Sequence, residues 1–505
     1  MKSSSPYLIA GHIAFALFAF LAVWFAEERV LLIDSAYQLF HDINHESILI
    51  NDNRFSMVLS QLLPWLLIKL HVPLRWLIVA YSASFVLLAY ACFLLTAYVL
   101  RQPRVAAVMV LTFLGLCSTF FHCISETFQL MFFAPMLYAL AQFRTQNPKS
   151  KILYWPVLVL AEALAFFIHP VAVFFILYII GLRMVERNRL RIDAVSAVLL
   201  VALAAFVAVR MFLGQSGHDE SFMPTADTLR HALTHFFSLR SFDYFRTWFL
   251  IYLFPLVLWG LTLVGYFRQR HWLRLAFVGL YLPAFFALSV VVYWQGDGSI
   301  GMERTYLPLY FFAGLPFFVD ELPRLAGWRR WTVFGYFAVM LVIGFTRISM
   351  DIHIYANRLE EIKHIAAYSR AHGQHKLIVT RSTAEQLFRV NIWGLALESM
   401  LLTARDGADQ TVSIYMEEDD FDRSNADFYD NPDVYMSVNW WKRWLVADLN
   451  PHYFSLPPQG YQELLHTPDG YALSQVKKRA RGGEETPDLT TEAVLENEPD
   501  GLIVS

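Results

Sequence analysis

The chain has 505 residues, a formal net charge of −3 and a mean hydropathy of +0.41, and only 16% of its residues are charged. A typical soluble domain carries roughly 25% charged residues, so lipid is the simpler solvent for this much apolar surface. The near-neutral balance argues against nucleic acid as a partner, and three cysteines without C-x-x-C spacing argue against a disulfide framework or a cysteine metal site.

In chain order, the first apolar run spans about residues 7–26. It is too long for a signal-peptide core and lacks a small-residue cleavage site, so a retained first helix is expected. Further runs fall near 76–99, 105–121, 128–142, 153–168, 170–185, 193–213, 248–267, 272–293, 305–320 and 330–347, about eleven spans in all. His169-Pro170 interrupts the stretch 153–185, where a turn or kink is expected because proline donates no backbone hydrogen bond. The run 57–71 is short and holds Pro64. If it does not cross, and the N-terminus is inside, the clusters around Arg101, Arg144, Arg183, Arg268 and Arg324 all face the cytoplasm. It is therefore placed on the outer face as a juxtamembrane or re-entrant helix.

Beyond about Ile348 the composition changes. Residues 351–372 read as a helix, KLIVT (376–380) and TVSIYM (411–416) as strands, and 384–404 as helical. The fold class expected is mainly α: a polytopic helix bundle over 1–347, with a first outer loop at 27–75, and a small extracytoplasmic α/β domain over 348–481. The aromatic and basic NWWKRW at 439–444 suits either a packed surface or contact with headgroups or a saccharide. Residues 482–505, acidic and without basic residues, are expected to be a disordered tail.

Ionisable residues at helix ends on one side of a membrane mark candidate chemistry. The first outer segment places Asp34 just after the first helix, followed by His41, Asp42, His45, Glu46, Asp52 and Arg54. If 34–45 is helical, Asp34, His41 and His45 share about one face. Asp34 is either a helix cap or a base whose pKa partial burial raises. Glu126 lies in the second outer loop, where it either caps a helix or approaches Asp34 or a substrate hydroxyl. Arg54, Arg210, Arg240, Arg246, Arg304 and Arg347 fall on the outer side, as snorkelling side chains or as a phosphate cradle. His169 is a turn residue or a phosphate contact. Glu303 and Arg304 sit at the mouth of a late helix, where they pair with each other or face a ligand. No Walker loop, dinucleotide fingerprint, H-E-x-x-H or G-x-S-x-G occurs.

This arrangement resembles the GT-C superfamily of integral-membrane glycosyltransferases, which includes protein O-mannosyltransferases and lipid A aminoarabinose transferases. Asp34 in IDSAYQLF stands where the family's catalytic aspartate would be, and NRFSMVLSQLLPWLLIKLHVPLRWLIVAYSASF resembles its proline-containing juxtamembrane segment. Glu126 occupies the second outer loop, and ERTYLPLYFF is similar to the family's Arg-Tyr-x-x-Pro pattern, with Thr305 intervening. Asp34 is followed by Ser35 where many members have Asp-Glu, and no D-x-D motif appears in an outer loop, which leaves dependence on a divalent cation open. The resemblance implies inverting transfer of a sugar from a polyprenyl-phosphate-linked donor to a glycan, lipid or protein acceptor on the outer face. Asp34 would be the base, with Glu126 beside it. Arg54, His169, Arg210 and Arg304 would hold the donor phosphate, and His41, Glu303 and Tyr306 would line the acceptor side. The expected location is a bacterial inner membrane, with the N-terminus cytoplasmic and the C-terminal domain periplasmic. A transporter or flippase of lipid-linked saccharides, or a non-catalytic assembly subunit, would share much of this pattern. Glu162, inside an apolar run, fits the transporter better.

Overall fold

A computed structural model describes residues 6–146, 151–185, 189–214, 225–296, 299–325, 327–388, 393–417, 429–436, 443–468, 470–476 and 502–504. The described chain is mainly helical. Helix α1 (Pro6–Trp24) leads through the short α2 (Ala26–Val30) into α3 (Ile33–His45) and strand β1 (Ile48–Ile50). There follow α4 (Val58–Lys69), α5 (Leu74–Leu94), α6 (Pro103–Leu114), α7 (Glu126–Gln146), α8 (Lys151–Phe166) and α9 (Ala172–Met184). Next come α10 (Ala194–Leu213), α11 (Ala226–Thr234), α12 (Arg240–Thr247), α13 (Phe249–Arg268) and α14 (Trp272–Val292). The membrane part closes with α15 (Ser299–Tyr306), α16 (Pro308–Pro316) and α17 (Gly327–Ala371).

Among the described residues, six helical stretches are long and apolar enough to cross a bilayer: Tyr7–Trp24, Leu74–Val99, Ala194–Leu213, Phe249–Arg268, Trp272–Val292 and Trp331–Ala371. Their outward faces carry large apolar side chains, such as Phe212 (91% exposed) and Leu250 (74% exposed). Contiguous exposure of this kind belongs against lipid rather than water. The α8–α9 boundary falls on the His169-Pro170 break, and α4, at 12 residues, is about 18 Å long. That is well short of a hydrocarbon core of about 30 Å. It folds back on α5 and packs against α3 and β1.

The residues 348–351, where hydropathy drops, do not end a helix. α17 runs unbroken for 45 residues, about 67 Å at 1.5 Å per residue. No glycine or proline interrupts 345–371, so the polar change alters the solvent around the helix and not its backbone. The same helix thus enters the C-terminal domain, where β2 (Lys376–Thr380), α18 (Arg381–Phe388), α19 (Leu395–Ala404) and β3 (Ser413–Glu417) follow. Then come β4 (Val434–Met436), β5 (Arg443–Leu445), β6 (Gln462–Thr467) and β7 (Gly470–Gln475). The sheet order is β3-β2-β6-β7, with β2 parallel to both β3 and β6, and β6–β7 an antiparallel hairpin. Residues of the α19 helix are all buried, because it lies between β3 and α3. Of NWWKRW, 439–442 lie outside the described residues, while Trp444 packs against the rings of His41 and His45. Of the stretch expected to be disordered, β8 (Leu502–Val504) pairs antiparallel with β1, and the remainder lies outside the described residues.

Candidate functional site

Helix α3 sets the site. Its N-cap is Leu32, with no side-chain hydrogen bond, and Asp34 stands in the first turn. Asp34 is therefore not a cap. Its Oδ2 meets His122 Nε2 at 2.9 Å, while Oδ1 makes no hydrogen bond among the described residues. The side chain remains 45% exposed although His122 is only 2% exposed, so the carboxylate is walled by protein yet open on one side. Burial alone would raise its pKa. The hydrogen bond and charge of His122 and the fields of Arg304 and Arg54 outweigh burial, and the carboxyl is held below its ordinary value. This reverses the sequence expectation of a raised pKa: the arginines, spread along the chain, converge here. Asp34 is an ionised acceptor at neutral pH.

The backbone before Asp34 is strained. Ile33 has φ 35°, a region a β-branched residue rarely adopts. Its amide donates to Glu398 Oε1 at 2.6 Å, and a Cβ on Gly394 would sit 3.3 Å from Ile33 Cα. Glu398 is fully buried and paired with Arg358. The C-terminal domain thus holds the turn that presents Asp34.

The loop after β1 brings in the arginines. Asp52 and Asn53 take φ 53° and 56°, tolerable for short polar side chains, and turn the chain into Arg54. Arg54 Nη1 meets Glu126 Oε1 at 2.6 Å, and Arg54 Nη2 lies 3.6 Å from Asp52. Arg210 Nη2 donates to the Asp52 carbonyl at 3.5 Å, and Ser56 N donates to Phe167 O at 3.4 Å. These contacts tie the loop to the end of α10 and to the α8–α9 break. His169 in that break accepts from Val171 N at 3.2 Å. It lies within the fields of Arg54, Glu126, Arg304 and Arg210, and burial together with the arginines pushes its pKa down to about 3. His169 is therefore a neutral hydrogen-bonding group.

Asp34, Arg54, Glu126, His169, Arg210 and Arg304 thus form one electrostatically connected cluster at one end of the bundle. Three other candidates point elsewhere. Glu303 does not pair with Arg304; its carboxylate accepts from the amides of Cys117, Ser118 and Thr119 at 2.8, 2.8 and 3.2 Å, fixing the turn that carries His122. Tyr306 is buried, and its hydroxyl donates to Ser241 O at 2.8 Å. His41 is two turns along α3, its ring 4.4 Å from Tyr37 and 5.2 Å from Trp444. Sequence reading missed His122 as a partner and Glu398 altogether. His122 was findable as the histidine four residues before Glu126, whereas Glu398 carries no local signal.

Among the described residues no group of three or more His, Cys, Asp or Glu is placed to hold a metal ion. The site sets one open, ionised carboxylate among several guanidiniums, so a proton acceptor and groups that pair with an anion stand side by side. Compared with protein-family models, curated proteins and solved structures, the chain gives no significant match.

Proposed function

We propose that the protein is a membrane glycosyltransferase that moves a sugar from a polyprenyl-phosphate-linked donor to an acceptor hydroxyl. The observation that carries this reading is the ionised, one-side-open Asp34 surrounded by the charges of Arg54 and Arg304. In this mechanism Asp34 Oδ1 takes the proton of the acceptor hydroxyl. The hydroxyl oxygen bonds to the anomeric carbon as the bond from that carbon to the phosphate oxygen breaks, inverting the centre. The charge developing on the leaving polyprenyl phosphate falls to Arg304, Arg210 and Arg54, preorganised before the step. Glu126 holds Arg54 in place, and His122 holds Asp34. The chain would cross a bacterial inner membrane about eleven times, N-terminus inside, with the site and the C-terminal domain on the periplasmic side. The acceptor is a glycan, lipid or protein hydroxyl.

The test is transfer from a polyprenyl-phosphate sugar pool in membranes holding matched amounts of wild type and Asp34→Asn. The substitution keeps shape and removes the base, so a loss of about 10²–10⁴-fold is expected. Unchanged transfer would remove Asp34 from the mechanism.

One observation favours a second reading. Glu162 in α8 is fully buried, and neither carboxylate oxygen has a hydrogen-bond partner among the described residues. Intramembrane carboxylates mark pathways in transporters. A transporter would lose its activity in Glu162→Gln and keep it in Asp34→Asn.

A further inference from the structure

The stretch between α10 and α14 carries a surface that sugar transfer does not use. Helix α11 buries Ala232 and exposes Leu229 and Leu233, one turn apart, and the chain continues to Phe237, 77% exposed. Helix α13 likewise exposes Phe249, Leu250 and Leu253. The stripe on α11, exposed in a chain with helices of membrane-spanning length, has the character of an interfacial segment. It lies at the Asp34 end of the bundle, since α12 is tied to α15 through Tyr306 and Ser241.

Beside the stripe lies a cavity of about 510 Å³ lined by His231, His235, Arg240, Trp294 and Gln295. Through Arg240 and Gln295 it adjoins a second of about 390 Å³, floored by Tyr244 and Trp248. The rings of His231 and His235 stack at 4.5 Å, and His231 meets the edge of Trp294 at 5.3 Å. Arg240 makes no ion pair or hydrogen bond among the described residues, and the acid lining the second cavity, Asp243, is already paired with Arg246. Arg240 also depends on Gly296. That residue has φ +75°, which L side chains rarely adopt, and a Cβ there would come to 3.0 Å from Arg240 Cβ, so a larger residue pushes the arginine aside.

We propose that this cavity binds the phosphate headgroup of an anionic phospholipid of the surrounding leaflet, with the acyl chains along Leu229, Leu233 and Phe237. A guanidinium without a counter-ion among the described residues, beside two imidazoles, matches a phosphate diester. The exposed Leu229, Leu233 and Phe237 beside the cavity make the occupant a lipid and not free phosphate. The proposal needs only that the chain sits in a bilayer and does not depend on the sugar-transfer reading.

The test is native mass spectrometry of the full chain released from nanodiscs of equal phosphatidylglycerol and phosphatidylcholine with the same acyl chains. Wild type is expected to retain phosphatidylglycerol preferentially. Arg240→Gln, an exposed change that spares the fold, lowers that preference about fivefold, the worth of one cation near a lipid surface. Gly296→Ala, which displaces Arg240 without removing its charge, lowers it as well. Equal preference in wild type and Arg240→Gln overturns the site. Loss of the wild-type preference on adding inorganic phosphate also overturns the lipid assignment, because a free anion then competes for the pocket.

Discussion

At the scale of single residues, the decisive balance is on Asp34. Burial disfavours its charge, and His122, Arg304 and Arg54 restore it. The sign follows directly: with the folded pKa depressed, the carboxylate stays ionised as pH falls past the ordinary value of 3.8. For the proposed sugar transfer, the acid limb of kcat/KM is therefore expected below that value in wild type and should move upward in Arg54→Gln. A limb that does not move would show that Arg54 does not act on Asp34. Arg54→Gln should also lower kcat about a hundredfold, as loss of one preorganised donor does, with stopped assays at saturating donor as the check. The charged members of the cluster were legible in the sequence because ionisable residues at the ends of apolar runs stand out. Which of them touch was not legible: Glu303 followed by Arg304 suggests a pair, yet three backbone amides at Cys117, Ser118 and Thr119 take the carboxylate.

At the scale of elements, α3 is held from both ends. Its first turn depends on α19 of the C-terminal domain through Glu398 and Arg358. Removing one member of a buried ion pair leaves the other charge unpaired, which costs about 3–5 kcal/mol. Glu398→Ala should lower the melting temperature strongly, and Glu398→Leu combined with Arg358→Met should recover much of the loss. Equal melting of the single and double variants would contradict a buried, coupled pair. Farther along, Asp42 is fully buried. Burial pushes its pKa well above the usual range despite the Leu49 amide donating to Oδ1 at 2.9 Å. A raised carboxyl pKa gives stability present at low pH and lost as pH rises toward the folded value. Asp42→Asn, which keeps the acceptor, should therefore raise the melting temperature at neutral pH and flatten its pH dependence. A helix over 34–45 entered the sequence reading only as the condition under which Asp34, His41 and His45 share a face, and α3 meets that condition. Its dependence on Glu398 was not legible, since the contact joins positions 365 apart.

At the scale of the whole molecule, one continuous helix, α17, links the bundle to the C-terminal domain. Arg405 and Lys363 of the C-terminal half reach Glu27 on α2, so the two parts share an interface around the site. The strands KLIVT and TVSIYM were legible from their apolar runs, within two residues at each end. The continuity of α17 was not, because a hydropathy drop marks a change of solvent and carries no signal for a backbone break. The proposed orientation predicts that cysteines introduced at Arg268 and His452 react with an impermeant maleimide from opposite sides of sealed vesicles. Labelling from the same side would refute it.

In the proposed transfer, the lipid-linked donor places its phosphate among these arginines with its sugar facing Asp34. Cryo-electron microscopy of the protein with a non-transferable polyprenyl-phosphonate sugar tests this most directly. The predicted result is the phosphonate within hydrogen-bonding distance of Arg54 or Arg304 and the anomeric carbon beside Asp34 Oδ1. A headgroup found instead beside Glu162, in the middle of the bundle, would contradict it.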